Sequence, residues 1–231
     1  MGQVKDYFAV MDRIEWFENC SQVPSWQNQG ISHGFVGFYG RLPLVHGVKQ
    51  VHGTTIVPVA EKHEATEADG ISSDDLRCVA IKTADCLPVL MWSPQRVVAV
   101  HAGWRGLCHG IVRRGIQHLV EVGRPQQIRV AIGPAIGRRA FEVGPEVVKA
   151  FEESWDLQEL AIASSKGVRD RWHLQLNLLA IFELLRSEVL AENIAVSTDC
   201  TYDCFQRWNS FRRHGPACGR NWSWLAGPRG D

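Results

Sequence analysis

Apolar residues in this chain come in short, dense runs separated by turn residues. Residues 78–82, 87–92, 96–101 and 128–132 are runs of this kind, and their brevity and turn-rich borders predict buried strands, not helices. A different spacing follows the third run. Leu107, Ile111, Ile116, Leu119 and Val120 recur at helical intervals up to Gly123. Pro145 suits the first turn of a helix that continues through Val147, Val148 and Phe151. The clearest helix spans residues 176–190, with Leu178, Ile181, Phe182, Leu185 and Val189 along one face. Residues 194–198 predict a late strand.

Residues 20–34 are rich in Ser, Gln, Asn, Gly and Pro and predict an irregular loop, within an N-terminal segment (1–31) that is partly irregular. Strands interleaved with helices predict an α/β or α+β fold. Without a linker, repeat or low-complexity tract, the expectation is a single domain over residues 1–231.

Composition narrows the function. Lys plus Arg number 25 and Asp plus Glu 25, so the formal net charge is zero and no general attraction to nucleic acid or an anionic membrane is expected. The first residues lack the basic patch and apolar stretch of a secretory signal, and no apolar run is long enough to span a bilayer. Seven cysteines, an odd number in a chain able to build a real core, predict reduced thiols in a cytoplasm. Cys200 and Cys204, spaced C-x3-C, lack the second pair that a structural zinc site would need.

Candidate chemistry sits at the predicted strand ends. His52 lies in Gln50-Val51-His52-Gly53, Cys86 in Thr83-Ala84-Asp85-Cys86-Leu87-Pro88, and His101 in His101-Ala102-Gly103-Trp104-Arg105-Gly106. Two imidazoles and a thiolate make a three-ligand zinc set that leaves a fourth position open, the arrangement of a catalytic metal. Asp85, beside Cys86, can take a proton, orient a ligand imidazole or simply shape a turn. The turn at Gly103–Gly106 with Arg105, and the segment Ser210-Phe211-Arg212-Arg213, offer two anion sites. Trp208, Phe211, Trp222 and Trp224 can stack a purine or pack.

These motifs, with Glu67-Ala68-Asp69-Gly70, Ile132-Gly133-Pro134-Ala135-Ile136-Gly137, Phe141-Glu142-Val143-Gly144 and Cys200-Thr201-Tyr202, occur in an order that resembles the laccase-domain family. That family is also called polyphenol oxidase or peptidoglycan editing factor and is now regarded as purine nucleoside phosphorylases. The resemblance runs from about Ser32 to Arg220. It implies metal ligation by His52, Cys86 and His101 and a four-layer α/β/β/α sandwich with mixed sheets. The implied enzyme is cytoplasmic and zinc-dependent. It would cleave adenosine, inosine, guanosine and methylthioadenosine with phosphate and also deaminate adenosine.

Within that expectation Asp85 and Glu142 are the candidate proton carriers, and Arg105, Ser210 and Arg212 the candidate substrate-binding residues. The partners are a nucleoside and phosphate; oligomeric state is left open. The stretch between Gly37 and Lys49 is too short to hold the Asn-Arg pair that family members carry there, so a substrate-contacting arginine is expected to be missing. Two rival chemistries remain. Copper-dependent phenol oxidation fits the older family name, although no axial Met pattern or His-rich pair accompanies the ligand set. Hydrolysis of a cytoplasmic peptidoglycan precursor would use Cys86 as nucleophile and His101 as base, without metal.

Overall fold

The computed structural model describes residues 9–227 apart from positions 18, 64 and 76. In chain order the strands are β1 (Asp12–Arg13), β2 (Glu15–Phe17), β3 (Cys20–Gln22), β4 (His33–Val36), β5 (Ile56–Pro58), β6 (Gly70–Ser73), β7 (Val79–Thr83), β8 (Leu87–Trp92), β9 (Val97–Ala102) and β10 (Arg129–Ile132). They continue with β11 (Glu142–Val143), β12 (Ser164–Lys166), β13 (Trp172–Leu174), β14 (Ile194–Val196) and β15 (Asn221–Leu225). The helices are α1 (Pro24–Asn28), α2 (Trp104–Cys108), α3 (Ile111–Val120), α4 (Pro145–Glu152), α5 (Leu157–Ala163), α6 (Leu176–Arg186) and α7 (Phe211–His214).

Two sheets stack on each other in this mixed α/β domain. A seven-stranded mixed sheet has the order β1-β14-β10-β8-β9-β6-β5, and a five-stranded antiparallel sheet has the order β2-β3-β4-β15-β7. A small third sheet, β11-β13-β12, sits apart from both. The alternation of side chains along a strand explains the long apolar runs. In β9, Val98, Val100 and Ala102 face a core shared with α3, α4 and α6, while Val97 and Ala99 face a second core shared with the other sheet. Burial on both faces leaves β9 almost no polar residue to break the run. His101 is the exception, on the face that looks toward the other sheet.

Most expected elements stand close to their predicted places, with two corrections. The helix expected from Leu107 to Gly123 is broken into α2 and α3, because Gly110 adopts a left-handed φ of 79° between them. Residues 20–34 are not an irregular loop. They form β3, α1 and the start of β4, in which His33 is a core residue whose Nε2 accepts the Val23 N–H at 2.8 Å. Their polar composition hid this, because backbone pairing and three scattered apolar anchors, the buried Val23, Trp26 and Ile31, hold the segment. No helix among the described residues is long and apolar enough to cross a membrane.

Candidate metal centre

The chain passes from one sheet to the other in the turn between β7 and β8, and the site is built where it does so. β7 belongs to the five-stranded sheet and β8 to the seven-stranded one, with only Ala84, Asp85 and Cys86 between them. Cys86 stands immediately before β8. His101 is near the end of β9, directly opposite Pro88 in the antiparallel pairing. His52 arrives on the loop that precedes β5. The ligand atoms of His52, Cys86 and His101 lie within 4.8 Å of one another, and among the described residues this is the one such group of three or more side chains. The two imidazole rings meet edge to face, 4.9 Å between centroids.

The loop holding His52 is fastened at two points. The Gln50 side chain bonds the Lys82 main chain in both directions, donating to its carbonyl at 2.6 Å and accepting its N–H at 2.8 Å. The Asp69 carboxylate accepts the N–H groups of Val51, His52 and Gly53, at 3.2, 2.9 and 2.6 Å. Its Oδ1 also lies 2.7 Å from Nδ1 of His101. Asp69 therefore grips one ligand's backbone and the other ligand's ring, the role of a carboxylate that orients metal-binding histidines. The sequence offered Asp85 for that role. Asp69 was visible only as a motif residue, since its partners lie more than fifteen positions away.

Two non-glycine residues of the site adopt left-handed backbone: His52 at φ 62° and Asp85 at φ 86°. His and Asp tolerate that region better than most residues, and each instance costs roughly 1 kcal/mol. Asp85 recovers it through its carboxylate, which accepts the hydroxyls of Thr201 at 2.6 Å and Ser210 at 3.1 Å and the Arg212 N–H at 2.6 Å. Gly103 closes the site from below. A Cβ there would stand 3.1 Å from His52 Cδ2 and 3.2 Å from Cys86 Sγ, so no larger residue fits without moving a ligand.

The charges within the cluster are coupled. Burial opposes ionisation of the Cys86 thiol, yet hydrogen bonds from His101 and His52 outweigh it and bring the thiol down to about 6. Burial likewise opposes protonation of His101, but Asp69 and Cys86 raise the ring to about 9. Asp69 stays below the usual carboxylate range despite its burial, because His101 and the N–H groups of Gly53 and Val51 hold it ionised. The cluster thus presents a thiolate and a carboxylate whose negative charge a proton or a divalent cation can satisfy. A set of one thiolate and two imidazoles with a vacant position fits zinc.

The cluster forms the floor of a cavity of about 500 Å³. Ile136, Phe141 and Phe211 supply an apolar wall, and Lys49, Lys82, Arg212 and Arg220 supply positive charge. Of the candidate residues, Asp85 and Arg212 line this cavity, and Ser210 is buried behind it, bonded to Asp85. Two do not reach it. Arg105 is exposed and stacks on its neighbour Trp104, 4.3 Å from the ring centroid. Glu142 is exposed on β11, and its contact with Arg212 is made by its main-chain carbonyl.

The tryptophans pack. Trp208 is buried edge-on against Trp16 and donates to Asp199. Cys200, from the C-x3-C pair, accepts the Gly137 N–H.

Comparison with known proteins identifies the family and fold. A protein purine nucleoside phosphorylase YfiH from Escherichia coli is 35% identical over 173 residues, covering 72% of this chain and 67% of that one. A purine nucleoside phosphorylase from Xylella fastidiosa is 34% identical over 218 residues, covering 89% and 82%. A crystal structure from Neisseria meningitidis superposes with a TM-score of 0.72 at 30% identity, over 88% of this chain and 78% of that one. The fold is shared with a Bacillus licheniformis YfiH structure of TM-score 0.82 at 22% identity, over 93% and 98% of the two chains. Residues 38–226 match the family model described as multi-copper polyphenol oxidoreductase laccase. On that match and these relatives, the chain belongs to the laccase-domain family whose curated members include purine nucleoside phosphorylases.

Proposed function

We propose that this protein is a zinc-dependent purine nucleoside phosphorylase acting on adenosine, inosine, guanosine and methylthioadenosine. The observation that carries the reading is the three-ligand cluster of His52, Cys86 and His101 at the floor of a cavity with an aromatic wall and a cationic rim. The names of the relatives point the same way. When bound, zinc supplies Lewis acidity to one electronegative atom of the substrate.

The chain's own residues do the rest. Phe141, Phe211 and Ile136 receive the flat purine and exclude water from it. Asp85 acts as a positioning residue, tying the Cys200–Tyr202 segment and α7 to the turn that carries Cys86. Arg212 braces the wall, donating to the carbonyls of Ala140 and Glu142 on either side of Phe141.

In the reaction, an oxygen of hydrogen phosphate forms a bond to the anomeric carbon as the bond from that carbon to the purine nitrogen breaks. The electron pair leaves with the purine, and the proton of hydrogen phosphate ends on it. This balance needs no separate proton carrier from the chain. Deamination of adenosine does need one. Asp85 is engaged by three donors and Glu142 lies off the cavity, which favours phosphorolysis as the principal activity. Seven free thiols suit a reducing cytoplasm.

The test is metal analysis of the purified protein together with nucleoside cleavage assayed with and without phosphate. Release of free purine and ribose 1-phosphate, dependent on phosphate and lost on chelation and in Cys86→Ala, is the expected result. Full turnover in Cys86→Ala overturns the reading. Activity that survives exhaustive chelation supports thiol-based hydrolysis instead, and oxygen uptake with a phenol supports a copper oxidase.

A further inference from the structure

The sequence offers Arg105 and Arg212 as phosphate ligands, but the structure commits their guanidinium groups elsewhere. Arg105 lies on the surface over Trp104, and Arg212 gives both terminal nitrogens to main-chain carbonyls at 3.1 and 2.9 Å. The other cations of the cavity differ in how much of their charge is free. Lys49 is paired with Glu67 at 2.7 Å. Arg220 spends Nη1 on the carbonyls of Cys218 and Gly219 and on Cys218 Sγ, while its Nη2 has no hydrogen-bond partner among the described residues. Lys82 makes no ion pair among the described residues. Its ammonium rests 5.4 Å from the centroid of Trp222, its direct cross-strand neighbour.

The main chain of Lys82 is also tied to the loop that carries His52. Lys82 is four positions before Cys86 on the same strand and turn, and the two hydrogen bonds to its main chain come from Gln50, two positions before His52. Among the described residues no acidic side chain lines the cavity except Asp85, whose carboxylate accepts from three donors. The cavity therefore has the His52, Cys86 and His101 cluster, an apolar wall, and on its lining an ammonium with no ion pair among the described residues.

We propose that Lys82, assisted by Arg220, binds the phosphate oxyanion that attacks the nucleoside. The assignment rests on the phosphorylase reading above for its role in the reaction, but not for its existence as an anion site. Lys82 supplies a point charge and three donors to the oxyanion, and Arg220 a fourth donor from Nη2. Balance is as written for phosphorolysis: hydrogen phosphate brings both the attacking oxygen and the proton that the purine takes away.

Kinetics with the metal-retaining full-length chain test the role. Lys82→Gln is expected to raise the phosphate KM about 10- to 100-fold, the scale of a charged hydrogen bond, while the inosine KM moves less than about twofold. Lys82→Arg should restore most of the loss, and metal content and melting temperature should match those of the parent. A phosphate KM within about twofold of the parent in Lys82→Gln overturns the assignment.

Calorimetric titration with inorganic phosphate alone keeps the question separate from catalysis. If the parent cleaves no nucleoside yet binds phosphate, and Lys82→Gln does not, the anion site stands and only the phosphorylase reading falls. Equal phosphate binding by both proteins, or none by either, overturns the site. Titration with inosine 5′-monophosphate distinguishes the source of the oxyanion. Nucleotide binding that depends on Lys82, with no binding of free phosphate, overturns free phosphate as the ligand.

Discussion

Oδ1 of Asp69 lies 2.7 Å from Nδ1 of His101, and the same carboxylate accepts the main-chain N–H groups on both sides of His52. One buried side chain thus sets the orientation of two candidate metal ligands that are 49 residues apart in sequence. Asp69→Asn cannot reproduce this. Either rotamer of the amide places an NH2 group against groups that are themselves donors. Metal affinity should fall roughly 10- to 100-fold, the usual cost of losing such a carboxylate. Competition with a chromogenic chelator reads the change, and an affinity equal to the parent's would remove Asp69 from the site.

Gly103 has an ordinary φ of −65°, so alanine there strains no backbone and probes space alone. The added methyl meets His52 and Cys86 at 3.1 and 3.2 Å. Gly103→Ala should cost about 1–2 kcal/mol of metal-binding free energy, near tenfold in affinity. The melting temperature of the metal-free protein should change little. A variant that binds metal as tightly as the parent would show that the cluster has room the geometry denies.

Glu183 on α6 is buried, 5% exposed, and its carboxylate accepts the Arg113 N–H at 3.3 Å. Burial pushes its carboxyl up to about 7 against the countering pull of the Arg113 N–H. The folded state therefore holds a proton that the unfolded chain releases near 4.5. This group's contribution to stability is complete below that value and is lost as pH rises through about 7. Glu183→Gln should remove the dependence and make the protein more stable at pH 8, on the order of 2 kcal/mol. Denaturation at pH 5 and pH 8 measures it, and a parent and variant that differ equally at both values would sink the argument.

The strands around the site were legible in the sequence because they are buried on both faces. Residues 87–92 match β8 throughout, since burial on both sides excludes polar residues and leaves an unbroken apolar run. The clustered side chains were legible too, because His52, Cys86 and His101 combine metal-binding groups with turns flanked by Gly or Pro. The N-terminal hairpin was not. The stretch 20–34 owes its structure to pairing of β3 with β2 and β4, and pairing leaves little trace in local composition.

Sequence alone determined the periodicity of the buried elements and the chemical types available for a metal site, because those depend on each residue's own side chain and near neighbours. Tertiary structure decided which charges are free. Asp69 reaches His101 because β6 pairs with β9 so that Gly70 stands opposite Val100. Arg212 is spent on carbonyls and Lys82 is not, because α7 folds against β11 while β7 carries Lys82 to the cavity rim. A charged group's partners come from whichever strands and helices the fold sets beside it, and spacing along the chain does not encode them.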